Sequence, residues 1–259
     1  VESGWILKHV NRLIVNSATY RRASRPEESD AGPAHWEATV AADPDNLYWS
    51  RFPRHRLTGE TIRDLMLAAG GNRNARMLGE SVRPPLPAEV VQTLLRADHW
   101  KVSGDQAAHD RRSIYIFARR NLRFPMFEVF DRPAATATCD RRQRSTTAPQ
   151  SLFLLNSDFA LEAARHLAGR ALDAAPHSAA AQVQWCYRLA LSRDADQEEL
   201  LQATEFLESQ AARLKVEGRP SDELAQPIPM RRELDPCEAA ALVDFCLALF
   251  NASEFIYLE

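Results

Sequence analysis

Arginine is the residue type with most to offer chemically in this chain, and it crowds the stretch from 111 to 156. Arg111 and Arg112 form one pair, and Arg119 and Arg120 a second. Arg141, Arg142 and Arg144 form a third cluster that leads into Ser145 and Thr146. A guanidinium presents a planar fork of donors that meets a carboxylate, sulfate or phosphate at two points. Hydroxyls beside it add donors. The pattern predicts an anion cradle, with Arg119, Arg141, Arg144, Ser145 and Thr146 at its centre. The same forks have a second use, which is to pair with the chain's own acids. Glu60, Asp64, Asp131 and Asp140 are the expected structural partners, and such a network would fix the fold rather than bind a ligand.

A catalytic use of these residues needs a nucleophile and a base. Ser145 and Cys139 are the candidate nucleophiles, and Asp131 and Glu60 the candidate bases. Cys139 stands among arginines, which favour a thiolate. Glu60 and Asp64 are four apart on one helical face, a spacing that suits paired carboxylates and equally suits a solvated face with local ion pairs. The sequence has no GxSxG elbow, no Gly-rich phosphate loop and no HExxH. Its four cysteines, Cys139, Cys186, Cys237 and Cys246, form no CxxC pair, so no zinc or c-type haem attachment spacing is present. Buried free thiols are the expectation, and no metal is predicted.

A chain of 259 residues, 45% hydrophobic and 26% charged, can bury a core of ordinary size. The net charge of −3 gives no global pull towards nucleic acid or membrane. Tyr115, Phe117, Phe124 and Phe127 lie among the arginines and suit base stacking, but core positions explain them better, so nucleic acid is not an expected partner. Lysine occurs only at Lys8, Lys101 and Lys215, and acids dominate from Asp194 to Glu238. No apolar run is long enough to span a bilayer.

The elements that must carry these residues are mostly helices. Ser3 is a candidate cap for a helix through Trp5, Ile6, Val10, Leu13 and Ile14. Residues 21–45 read as a long surface loop broken by Pro26, Gly32, Pro33 and Pro44. Leu57, Ile62, Leu65, Met66 and Ala69 form a helical stripe that Gly70 and Gly71 stop. A short helix is expected at 88–97. Ser113–Ala118 and Phe124–Phe130 are rich in β-branched and aromatic residues and read as short strands able to pair. Helices follow at 150–155, from the Asn156-Ser157-Asp158 cap, at 183–190, around Leu200–Leu214, and at 236–251 with Pro236 in the first turn. The fold class predicted is mainly α, a helical globular domain with a small two-stranded or extended element near residues 112–130. One domain over 1–259 is expected, with a possible subdivision into an Arg-rich part, 1–147, and a helical part, 148–259. Because the chain opens at Val1 without Met, it reads as an N-terminally truncated fragment.

Pieces along nearly the whole chain carry a resemblance. They begin with Gly4-Trp5, Leu13–Tyr20, Asp43-Pro44-Asp45-Asn46, Arg56-Leu57, Glu60 and Ile62-Arg63-Asp64. They continue with Arg111–Tyr115, Arg119-Arg120-Asn121, Phe130-Asp131 and Cys139-Asp140-Arg141-Arg142. They end with Ser145-Thr146, Pro149–Leu152, Leu155-Asn156 and Asn251–Phe255. In this order they resemble the planctomycete PSD domain, a family of unknown function. The resemblance implies a C-terminal module of a bacterial multidomain protein that also carries a cytochrome-c-like module. Haem would then sit on that other domain, with no cofactor in this chain, and the parent would be extracytoplasmic, either periplasmic or at the cell surface. Family members usually carry more sequence before the Gly-Trp motif.

Three functions follow as expectations. The first is a non-catalytic accessory or interaction module whose partners are the other domains of its parent. The second is an anion-binding module for acidic or sulfated polysaccharide. The third is a hydrolase-type enzyme with an unrecognised site.

Overall fold

The computed structural model describes residues 4–25, 33–92, 97–120, 122–230 and 233–258. The chain forms two compact units, Val1–Arg56 with Tyr257–Glu259, and Leu57–Ile256. Residues on both sides of position 147 lie in the second unit.

The first unit holds α1 (Leu7–Val15), α2 (Pro33–Ala42) and the strands β1 (His55–Arg56) and β2 (Tyr257–Leu258). The helix expected near the start is present as α1, while its candidate cap Ser3 lies outside the described residues. None of α1's residues is buried. Ser17 closes it, its hydroxyl donating to the Ile14 carbonyl at 2.7 Å. The loop expected over 21–45 contains α2, which corrects that reading. Pro33 acts as a first-turn residue rather than a breaker, and the Ala-rich run after it has high helix propensity. The Asp43–Asn46 segment folds into a tight turn. Buried Asp43 accepts the N–H groups of Leu47 at 2.8 Å and Tyr48 at 2.9 Å, and Asn46 takes a positive φ of 52°. β1 and β2 pair antiparallel, His55 opposite Leu258 and Arg56 opposite Tyr257.

The second unit is helical: α3 (Gly59–Gly70), α4 (Ala88–Gln92), α5 (Gln106–His109), α6 (Pro125–Val129), α7 (Ala148–Asn156), α8 (Asp158–Ala174), α9 (Ala179–Leu191), α10 (Gln197–Glu217), α11 (Pro236–Asn251) and α12 (Ser253–Ile256). Short 3-10 turns occupy Ala97–Trp100 and Ser113–Tyr115. The caps follow from local chemistry. Ser157 accepts the Ala160 N–H at the start of α8. Asp196 and Glu199 form a reciprocal box on α10. Asp235 caps α11 with Pro236 at its first position. Gly71, at φ 81°, ends α3 as the doublet predicts.

The core sits where α3, α8, α9, α10 and α11 meet. Ile62 and Met66 of α3 and Leu167 of α8 are fully covered. Each such side chain contributes about 1.5–3 kcal/mol through burial. Ala160, Ala163, Ala164, Ala168 and Ala171 give α8 a small-residue face that lets neighbours approach closely. Cys186 of α9 and Cys246 of α11 pack within this core with sulfurs 3.6 Å apart. Cys139 is exposed instead, because it lies in the surface stretch after α6.

The mainly α class is as expected, but the paired strands lie at 55–56 and 257–258, not within 112–130. Residues 112–130 hold a 3-10 turn, the helix α6 and single-residue bridges, Val82 with Ile116 and Arg119 with Leu122. The strand reading rested on β-branched and aromatic content. Pro125 starts α6, and Met126, Phe127 and Phe130 turn into the core on a helical spacing.

Candidate functional site

α3 organises the site. Its period places Ile62, Met66 and Leu67 inward and leaves Glu60 and Asp64 half-covered on the flank. That flank forms one wall of a cleft of about 750 Å³, which Arg73, Arg112, Arg132 and Arg142 also line. Thr58, Thr61 and Ser113 add hydroxyls.

Glu60 is held by two arginines. Arg142 donates to its carboxylate at two points, 3.1 Å each, and Arg132 Nε stands 3.9 Å away. Partial burial pushes the Glu60 carboxyl up, yet the Arg142 hydrogen bond and charge, with backbone and Thr58 donors, outweigh it. The result lies below the ordinary 4.5. Asp64 accepts the backbone N–H and the hydroxyl of Ser113, both at 2.7 Å, with Arg112 Nε at 3.8 Å. Arg73, at the C-terminal end of α3, lies outside every ion pair found among the described residues, so the cleft carries four guanidinium groups and two carboxylates. Among the described residues no histidine or cysteine lines it.

Behind this wall Arg63 is almost sealed, at 2% exposure. It donates to the Arg111 carbonyl at 2.9 Å and to the His109 carbonyl at 2.5 Å, with the Ser113 hydroxyl at 3.4 Å. Burial lowers its pKa to about 10 against the pull of Asp64 and Asp110. Arg63 and Asp64 thus pin one turn, residues 109–113, which carries Arg112 into the cleft.

The remaining predicted residues separate. Arg111 is buried, donates to the carbonyls of Glu80 and Leu78, and lies 3.8 Å from the Tyr115 ring centroid. Arg119 donates to the His99 carbonyl. Arg120 lines a different, shallow depression. Arg141, Arg144 and Asp140 are exposed, and Cys139 donates its S–H to the Arg141 carbonyl at 3.3 Å. Ser145 gives its N–H and hydroxyl to Asp131, at 2.8 Å each, and Gln150 donates back to the Ser145 hydroxyl at 3.3 Å. Thr146 is exposed beside it. Of the predicted arginines, only Arg112 and Arg142 meet in the cleft, and they meet on Glu60 and Asp64.

Three contributors escaped the sequence reading: Arg63, Arg73 and Arg132. Arg63 was the most legible, since i+3 and i+7 from it are the buried Met66 and Gly70, the phase of the core stripe. Arg132 had no comparable signal. Among the described residues no group of three or more His, Cys, Asp or Glu is placed to hold a metal ion. No helix among them is long and apolar enough to cross a membrane.

The family model PSD1, described as a protein of unknown function (DUF1553), matches residues 1–207, a span that includes every residue of the cleft. No curated protein and no solved structure matches the chain.

Proposed function

The chain belongs to the PSD1 family, whose description names no activity, and on that premise we propose that it is a non-catalytic interaction module whose α3 cleft binds an acidic group. The observation that carries this reading is the imbalance within the cleft, four guanidinium groups against two carboxylates on an open wall. An incoming sulfate or carboxylate meets the fork of Arg73 and competes with Asp64 for Arg112 and with Glu60 for Arg132 and Arg142. Acidic or sulfated polysaccharide is the ligand class that fits, since repeated anions would engage several forks at once. The cleft's size lies within the range of small-ligand sites.

The resemblance supports the setting: an extracytoplasmic bacterial protein with haem on a cytochrome-c-like domain, the other domains of that parent being further partners. Both carboxylates of the cleft are engaged by arginines, Glu60 by Arg142 and Arg132 and Asp64 by Arg112, which supports the binding reading.

The experiment is a titration of the chain with heparin-like and uncharged polysaccharide at rising salt, on wild type and on Arg112→Gln with Arg73→Gln. Binding of the sulfated chain that weakens with salt and drops about tenfold or more in the double variant supports the reading. Equal binding of the uncharged chain, or an unchanged double variant, rules it out.

A further inference from the structure

Arg63 lines a second cleft, of about 610 Å³, that does not share a residue with the first. Its walls are Phe124, Phe153 and Phe159 with Leu86. Its charges are the reverse of those in the first cleft. Glu89, Asp110, Asp158 and Glu162 line it, against the single guanidinium of Arg63 among the described residues. That guanidinium is already committed to two carbonyls and a hydroxyl inside the protein.

Carboxylates outnumber cationic donors here, although Gln106, Ser157 and the first turn of α8 also border the cleft. Pro84, Pro85, Pro87 and Pro125 in the wall have no N–H to offer. The Asn156 amide is turned to the Leu152 carbonyl at 2.8 Å. His109 is buried, with Nε2 2.8 Å from the Ser103 carbonyl, so Nε2 carries the proton. Its Nδ1 has no partner among the described residues. Asp110 is half-buried, and burial raises its carboxyl above the ordinary value despite Arg63, the Asn72 amide and two histidines. A cation arriving beside it would relieve that cost.

A lining of carboxylates and aromatic faces suits a positive nitrogen on an apolar body. We propose that the second cleft binds a small organic ammonium ion, the nitrogen held by Asp110 and Glu162 and the apolar body by Phe124, Phe153 and Phe159. The volume fits a compact molecule.

The test uses benzylammonium on the full chain, followed by NMR at His109, Asp110 and Phe159, beside benzyl alcohol and benzoate as neutral and anionic analogues. Saturable shifts at those residues are expected, with benzylammonium bound about tenfold more tightly than either analogue. Glu162→Gln, an exposed and structurally mild change, weakens it about two- to fivefold. Asp110→Asn weakens it about tenfold. The proposal fails if the analogues bind as tightly, if both variants keep wild-type affinity, or if no saturable shift appears. None of these readouts depends on the first cleft.

Discussion

Asp64 accepts both the backbone N–H and the hydroxyl of Ser113 at 2.7 Å, across 49 positions of sequence. Its chain neighbour Arg63 grips the carbonyl just before Arg112. One dipeptide of α3 therefore sets the path of the turn that presents Arg112. Ser113→Ala removes one of the two bonds to a charged acceptor that is only partly covered. It should cost about 1–2 kcal/mol in urea unfolding, and anion affinity should fall with it because the turn that presents Arg112 is held by fewer bonds. Unchanged stability would remove Ser113 from this role.

Glu60→Gln should change two things in opposite directions. The Glu60 carboxyl lies below its ordinary 4.5 in the folded chain, so its stabilisation is full above that value. It is lost as pH falls through the folded value. The variant should melt lower than wild type at neutral pH, and the two should converge in acid. Freed of this competitor, Arg132 and Arg142 should bind a sulfated polysaccharide more tightly, read as a lower Kd by calorimetry.

Asp110 has the contrary sign. Its folded carboxyl lies above the ordinary 3.8, so the folded chain holds the proton longer than the unfolded one. Stability falls as pH rises through the window above 3.8, and the cost remains at neutral pH. Asp110→Asn should equal or exceed wild-type Tm at neutral pH, with the difference closing below that window. A variant that melts lower at neutral pH and not in acid would contradict the burial argument.

Gly169→Ala should destabilise, although alanine is the better helix former by nearly 1 kcal/mol. A Cβ at 169 would lie 2.0 Å from the Ile228 carbonyl oxygen, and that backbone cannot swing away, because the Ile228 N–H is bonded to the Arg165 carbonyl at 2.9 Å. Overpacking of this kind costs about 1–3 kcal/mol, measured as a shift in the urea midpoint.

Thiol labelling should split the cysteines. Cys139 is exposed, whereas Cys186 and Cys246 are fully buried and burial drives the Cys246 thiol well up. Iodoacetamide on the native chain should modify Cys139 and leave the buried pair until denaturant is added, as counted by mass. Early labelling of Cys186 would mean that the α9–α11 contact opens.

Much of the helical framework was legible from residue order. The stop at Gly70-Gly71, the Ser157 cap and the Pro236 start depend on groups within a few positions of one another, so short-range chemistry decides them. The helix at Pro33–Ala42 was missed because proline signals both a break and a first turn, and composition alone does not separate the two. The strands near 113–130 were misread for a related reason. β-branched and aromatic residues fit any half-buried segment, and here they form a 3-10 turn and the short helix α6.

The arginines show where sequence stops. Their crowding between 111 and 156 was plain, as was their need for negative or carbonyl partners. Which one meets which partner was not. Arg142 meets Glu60 across 82 positions, while Arg111, from the same cluster, turns inward to carbonyls. A guanidinium's fate depends on desolvation and on distances of a few ångströms between remote segments. Those quantities exist only once α3 and the stretch after it have packed. The sequence by itself set most of the longer helices, their capped ends and the supply of charge. The tertiary structure alone divided that charge between an interior network and two clefts of opposite sign.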